Sequence, residues 1–162
     1  MVILLMGVSG AGKTTVGKRL ASDLAWEFAD ADDYHSAANV RKMQNGIPLT
    51  DADRAPWLEN LRTLISGWIA AGKNAVLACS ALKQSYREIL EVTPAVQLVY
   101  LRVSAQILAE RLRARHGHFM TERMLQSQLA ALEEPERALA VDGDQSPAAI
   151  VAEIRCQLRL LN

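Results

Sequence analysis

Residues 7–14 read Gly7-Val8-Ser9-Gly10-Ala11-Gly12-Lys13-Thr14, a complete G-x-x-x-x-G-K-[ST] loop directly after the apolar run Val2–Met6. A polyphosphate packs several negative charges into a few ångströms, so many short-range donors must meet it together. Glycines let the main chain curl around such an anion with its N–H groups inward, at dihedrals that a Cβ disfavours. A helix starting near Lys13 adds its positive N-terminal end. The Lys13 ammonium can reach the β- and γ-phosphates, and the Thr14 hydroxyl is placed to coordinate Mg²⁺. Thr15 is an ordinary first-turn residue within reach of the α-phosphate. The predicted ligand is a nucleoside triphosphate with Mg²⁺, gripped by Gly7 through Thr15.

Two further polar groups follow apolar runs. Asp30-Ala31-Asp32-Asp33-Tyr34-His35 concentrates carboxylates, which beside a phosphate loop can hold Mg²⁺ or take the proton of an attacking hydroxyl. In an extended segment Asp30 and Asp32 share a face, while Asp33 points elsewhere and suits a helix cap. Asp32 is assigned to the hydroxyl and Asp30 to the metal, roles that spacing alone leaves exchangeable. The plainer alternative is a turn-and-cap cluster. The other group is Ser80-Ala81-Leu82-Lys83 with Tyr86 and Arg87.

Positive charge gathers later, at Arg111, Arg113 and Arg115, before His116-Gly117-His118-Phe119-Met120. Arg111 and Arg115 share a helix face, and the glycine suggests a hinge. An arginine-bearing lid over about residues 112–127 would exclude water and set cations against charge developing on a transferred phosphoryl group. Arg113 reads as a solvated cation at a helix end. His116 and His118 read as structural, with no second ligand to suggest a metal.

These residues need a scaffold, and the alternation of short apolar runs with helical periods supplies one: a parallel sheet covered by helices on both faces. The predicted strands are Val2–Met6, Glu27–Ala29, Ala75–Cys79, Val96–Leu101 and the weak Leu139–Val141. Trp57, Leu58, Leu61, Leu64, Ile65, Trp68 and Ile69 recur at helical spacing behind Pro56, with a Thr50/Asp53 capping pair and Gly72 as a stop. The two tryptophans therefore read as core rather than as stacking residues. Ile150, Val151, Ile154, Leu158 and Leu161 mark a last helix. In such a sheet, ligands sit beyond the carboxyl ends of the strands, where the polar groups fall.

At 162 residues the chain suits one domain. Lys plus Arg and Asp plus Glu number 18 each, so no overall field draws nucleic acid or an anionic membrane. The opening apolar run is too short for a signal peptide or a membrane span, and a cytoplasmic protein is expected. Cys79 and Cys156 lack metal-ligand spacing and read as reduced core residues.

The blocks Gly7–Thr14, Asp30-x-Asp32-x-x-His35, Gly46-x-Pro48-Leu49-x-Asp51-x-Asp53-Arg54-x-Pro56-Trp57-Leu58, Cys79-Ser80-Ala81-Leu82-Lys83 with Tyr86-Arg87, and His118-Phe119-Met120 with Ser127-Gln128 and Leu132-Glu133-x-Pro135 resemble the gluconokinase family nearly end to end. The family commonly has proline where Ser36 stands and an aliphatic residue where Gly143 stands. The resemblance implies a three-layer P-loop NTPase fold related to shikimate and nucleoside-monophosphate kinases: a five-stranded parallel sheet with a lid, one domain over residues 1–162. It also implies ATP-dependent phosphorylation of D-gluconate at its terminal hydroxyl, with ATP and Mg²⁺ as cofactors, and a homodimer, which no residue pattern states. Gluconate is a polyhydroxylated carboxylate, so its pocket needs a cation and several polar groups. His35, Arg54, Lys83 and Arg87 are the candidates, Arg54 before Lys83, with Asp32 at the hydroxyl and Lys13, Arg111 and Arg115 at the phosphoryl group. The base is expected near Arg111 and the loop after Val141. Shikimate kinase fits the loop and the Asp pair but lacks its Gly-Gly-Arg element, since Gly72-Lys73-Asn74 stands there. A non-catalytic nucleotide switch needs neither the Asp pair nor lid arginines.

Overall fold

A computed structural model of the protein describes residues 1–114 and 122–160. Its elements are β1 (Val2–Met6), α1 (Lys13–Leu24), β2 (Glu27–Asp30), α2 (Ala37–Gln44), α3 (Asp51–Ala70), β3 (Ala75–Cys79), α4 (Gln84–Leu90), β4 (Val96–Arg102), α5 (Ala105–Ala114), α6 (Glu122–Ala131), β5 (Leu139–Asp142) and α7 (Pro147–Gln157). A short 3₁₀ turn, Ala31–Tyr34, follows β2. The strands form one parallel sheet in the order β2-β3-β1-β4-β5. The five predicted strands are all present, three of them one residue longer than their periodicity indicated.

The continuous apolar runs are explained by two-sided burial. All five β1 residues are fully buried between β3 and β4. Val2, Leu4 and Met6 pack on one face with Trp57, Leu58, Leu61 and Ile65 of α3 and Tyr86 and Leu90 of α4. Ile3 and Leu5 pack on the other with Val16 and Leu20 of α1 and Ile150, Val151 and Ile154 of α7. This strict alternation is the period-two pleat carried into two hydrophobic layers. A third cluster of Val8, Leu82, Leu108 and Leu125 lies at the carboxyl ends of the strands and fastens α5 and α6 to the loop after β1.

Local chemistry sets the helix starts. Thr50 and Asp53 form a reciprocal capping box at α3. Ser36 caps α2 by accepting from the Asn39 N–H at 3.1 Å, so Asp33, expected as a cap, is not one; a serine one residue before the helix had the better position. Cys79 is buried, and burial pushes its thiol up to about 12. Cys156 is exposed on α7, contrary to its reading as core, because the buried stripe of that helix runs through Ile150, Val151 and Ile154 instead. Leu161 lies outside the described residues.

Candidate active site

The sheet order places β1 between β3 and β4 with crossovers running to either side, so a crevice opens beyond its carboxyl end. The glycine loop fills that end. Gly10 and Gly12 have φ of 85° and 95°, left-handed values that side chains resist, and Gly12 is the residue preceding α1. The curl of the loop thus depends on its glycines. Lys13 Nζ donates to the Val8 carbonyl at 3.0 Å, folding the ammonium back over the loop.

A cleft of about 560 Å³ joins this loop to the ends of β2 and β3, the start of α3 and the inner side of α6. Lys13, Thr14, Thr15, Asp30, Asp32, His35 and Arg54 all line it. Thr14 Oγ1 donates to Asp30 Oδ2 at 2.6 Å, and Asp30 Oδ1 accepts from the Asp32 N–H at 3.1 Å. Asp32 therefore sits in the 3₁₀ turn that Asp30 caps, not in the extended segment expected of it. The two carboxylates still share one cleft, through a turn rather than through strand alternation. A hydroxyl and a carboxylate in contact are hard oxygen donors suited to Mg²⁺ that also keeps water and substrate phosphates as ligands. Among the described residues, no group of three or more His, Cys, Asp or Glu is arranged to hold a metal by itself.

The opposite wall is built on Trp57. Its indole N–H donates to the Ala31 carbonyl at 2.7 Å, and the His35 ring stacks on it at 4.3 Å between centroids. Trp57 is core, as expected, and also the platform that orients His35. His35 Nδ1 is buried with no hydrogen-bond partner among the described residues. Burial, aided by the neighbouring Arg54 guanidinium, lowers the His35 pKa to about 4, so the ring is neutral at physiological pH. Arg54 is steered by Nη1, which donates to the Leu49 carbonyl at 2.7 Å and to Tyr86 Oη at 3.3 Å. Asp51, Tyr86 and Lys83 continue this network. The Tyr86 hydroxyl donates to Asp51, whose carboxylate also accepts from Lys83 Nζ at 3.0 Å. These two hydrogen bonds hold the Asp51 carboxyl below the usual carboxylate range, and the same contact raises Lys83.

Three expected site residues are placed differently. Lys83 lies outside the cleft lining and is ion-paired with Asp51. Arg87 is fully buried and not a surface cation. Its Nη1 donates to the Ala81 and Leu82 carbonyls, each at 3.0 Å, and its Nη2 to Gln84 Oε1 at 2.9 Å. Ala81 has a φ of 44°, so the Arg87 guanidinium fixes a strained loop instead of facing substrate. Arg111 donates through Nη1 to the Gly10 carbonyl at 3.2 Å and through Nη2 to the Gly143 carbonyl at 2.8 Å, tying α5 to the back of the glycine loop and to the turn after β5. At Gly143 a Cβ would come within 2.4 Å of Val103 Cγ2, so the aliphatic residue common here in the resembled family would need Val103 to shift. Arg115, the other expected lid arginine, lies outside the described residues, as do His116 and His118.

Ser127 and Gln128 entered the sequence reading only as part of a resemblance block and Met124 not at all; Gln128 Oε1 accepts from the Ser9 N–H at 2.7 Å, and Met124 and Ser127 line the cleft beside it. Their positions on an amphipathic helix carry no local signal of a partner 119 residues away. Asn39, which follows His35 in the block that resembles the family, is buried with its Nδ2 donating to the Asp53 carbonyl at 2.9 Å and anchors α2 to α3.

A family model described as "AAA domain" matches residues 2–135, from β1 to beyond α6. A gluconokinase of Gluconobacter oxydans (strain 621H) is 47% identical over 156 residues, covering 94% of this chain and 88% of that protein. The crystal structure of a gluconokinase from Sinorhizobium meliloti 1021 superposes with a TM-score of 0.86 at 43% identity, covering 98% of this chain and 91% of that one. Shikimate kinase from Aquifex aeolicus shares the fold, with a TM-score of 0.60 at 20% identity over 98% of this chain and 96% of that one. With the phosphate loop, the aspartate turn and Arg54 in one cleft, and close similarity over nearly the whole of both chains, this protein belongs to the gluconokinase family.

Proposed function

We propose that the protein transfers the γ-phosphoryl group of ATP to the terminal hydroxyl of D-gluconate, giving 6-phospho-D-gluconate and ADP. The observation that carries this reading is the single cleft lined by Lys13, Thr14, Asp30, Asp32, His35 and Arg54. Lys13 and the loop N–H groups neutralise the phosphates as charge shifts onto the leaving oxygen. Thr14 and Asp30 would hold Mg²⁺, which would supply positive charge against the phosphates. The Thr14–Asp30 contact supports giving Asp30 this role, and leaves Asp32 to orient the acceptor hydroxyl and take its proton. Arg111 serves to hold the back of the nucleotide loop, and Arg115 remains the proposed lid cation.

Arg54 is the residue proposed to grip the gluconate carboxylate. Its hydrogen bonds run through Nη1, which leaves the other edge of the fork to a bidentate acid. Neutral His35 brings no charge to the cleft wall it lines. The lining around these groups is part apolar, with Val40, Met43 and Leu49, as expected where a few polar groups fix orientation. A cytoplasmic location with access to ATP and a homodimeric state belong to the same proposal; among the described residues no helix is long and apolar enough to cross a membrane.

The test is ADP release from Mg-ATP across D-gluconate, other aldonates, shikimate, glycerate, neutral hexoses and nucleoside monophosphates. Selective turnover with D-gluconate is expected. Turnover confined to another acceptor would replace the substrate, and silence with all of them would leave a nucleotide-binding module.

A further inference from the structure

Gln128 is the partner of a main-chain N–H in the glycine loop. Ser9 is the third residue of the glycine loop, and its N–H is among the donors such a loop turns toward an anion. In this structure that N–H donates to Gln128 Oε1 at 2.7 Å, and both residues line the cleft. The partner atom must be the amide oxygen, since the donor is fixed by the backbone. An uncharged carbonyl oxygen is a fair electrostatic substitute for one phosphate oxygen, and a single N–H cannot serve both at full strength.

The helix carrying Gln128 is not free to drift away from the loop. Leu125 of α6 packs with Val8, Leu82 and Leu108. Just beyond the helix, the Glu133 N–H donates to the Leu82 carbonyl at 2.9 Å, and Glu133 Oε2 accepts from the Gln84 N–H at 2.6 Å. The base of α6 is thereby pinned to the loop after β3. Contact between Gln128 and Ser9 is a side-chain latch on a fixed mount.

We propose that Gln128 is an internal competitor for the nucleotide's distal phosphates: it holds the Ser9 N–H as a hydrogen-bond partner and must be displaced for that N–H to meet a triphosphate, which unlatches this part of α6 from the glycine loop. The inference rests on the phosphate-loop reading above. Loss of the competitor should tighten binding of a triphosphate, by the reciprocity of linked equilibria. Exchange of one neutral hydrogen bond sets the scale at about two- to tenfold. A residue that merely supports the fold would weaken binding or leave it unchanged when removed.

The experiment is calorimetric titration of the purified protein with a non-hydrolysable ATP analogue plus Mg²⁺, and separately with AMP, for wild type, Gln128→Leu and Gln128→Glu. Thermal unfolding of each variant identifies any that fail to fold, and Gln128→Met replaces Gln128→Leu in that event. The leucine or methionine variant is expected to bind the ATP analogue about two- to tenfold more tightly. AMP, which lacks distal phosphates, should bind all variants alike. The glutamate variant, a stronger acceptor carrying negative charge, should bind the analogue more weakly than wild type. Equal or weaker analogue binding by the folded leucine or methionine variant overturns the competitor role. Failure of wild type itself to bind the analogue would instead overturn the phosphate-loop reading beneath it.

Discussion

At the residue scale the proposed mechanism gives proton transfer to Asp32 and the carboxylate grip to Arg54, and each role predicts a different kinetic signature. Asp32→Asn keeps the size and hydrogen-bonding reach of the side chain but removes its proton affinity. ATP binding should survive while kcat falls about 10²- to 10⁴-fold, the usual worth of a positioned base; a wild-type kcat would remove Asp32 from proton transfer. Arg54→Ala should act mainly on gluconate. Loss of a charge-assisted pair of hydrogen bonds predicts a KM raised by about one to two orders of magnitude, and a neutral polyol analogue should lose its disadvantage in that variant. An unchanged preference for the acid would move the carboxylate grip elsewhere. Residue type and spacing singled out the glycine loop and the Asp30–Asp32 pair, and the resemblance added Arg54; all of them line one cleft. Sequence reasoning misjudged Arg87 and Lys83 because a cation's partner is a tertiary fact: nothing local says that Arg87 points inward to the Ala81 and Leu82 carbonyls, or that Lys83 meets an aspartate 32 residues away.

Among the elements, α3 does the most to shape the acceptor side, since Arg54 lies in its first turns and Trp57 one turn further on. Its capping box is therefore close to function as well as to stability. Lys42 Nζ also reaches Asp53 Oδ1 at 2.8 Å, and this hydrogen bond is the main reason the Asp53 carboxyl falls to about 2. Thr50→Ala removes the hydroxyl that accepts from the Asp53 N–H and should cost about 1 kcal/mol, a fall of about 2–4 °C in Tm for a chain of this size. Because Arg54 follows the cap by four positions, gluconate KM should rise modestly while ATP binding is preserved. Calorimetry and steady-state kinetics on one sample check both, and an unaltered Tm would show that the Lys42–Asp53 pair alone holds the helix start. This cap was visible in the sequence as T-x-x-D before an apolar period. The 3₁₀ turn after β2 was not, since four residues of Ala, Asp and Tyr carry no period and Asp30 selects the turn only by folding back onto the Asp32 N–H.

The whole molecule was read best where burial repeats along the chain: five apolar runs gave five parallel strands, and β1 is buried on both faces as its unbroken run implied. What linear periodicity could not convey is which distant elements close over the crevice, and His35 registers that closure globally. Its ring is held neutral by packing on Trp57 and by the neighbouring Arg54, with a pKa lowered to about 4, whereas in the unfolded chain it ionises near 6.5. Above pH 6.5 neither state binds the proton and the stabilisation is complete. Between 6.5 and 4 the unfolded chain binds it and the folded one does not, so stability falls with pH through that window. Since the ring is only half-buried and solvent screens it, the loss is on the order of 1–2 kcal/mol. Asp53, with a folded pKa of about 2, adds its own loss only as pH falls through the range below the ordinary carboxylate value. Denaturant unfolding of wild type and His35→Gln at pH 7, 6, 5 and 4.5 isolates the histidine, because other titrating groups cancel in the difference. The stability gap between the two proteins should shift toward the variant by about that amount across the series. A gap independent of pH would mean that the folded protein lets His35 take up its proton at the ordinary value, and that the acceptor wall is open to water in solution.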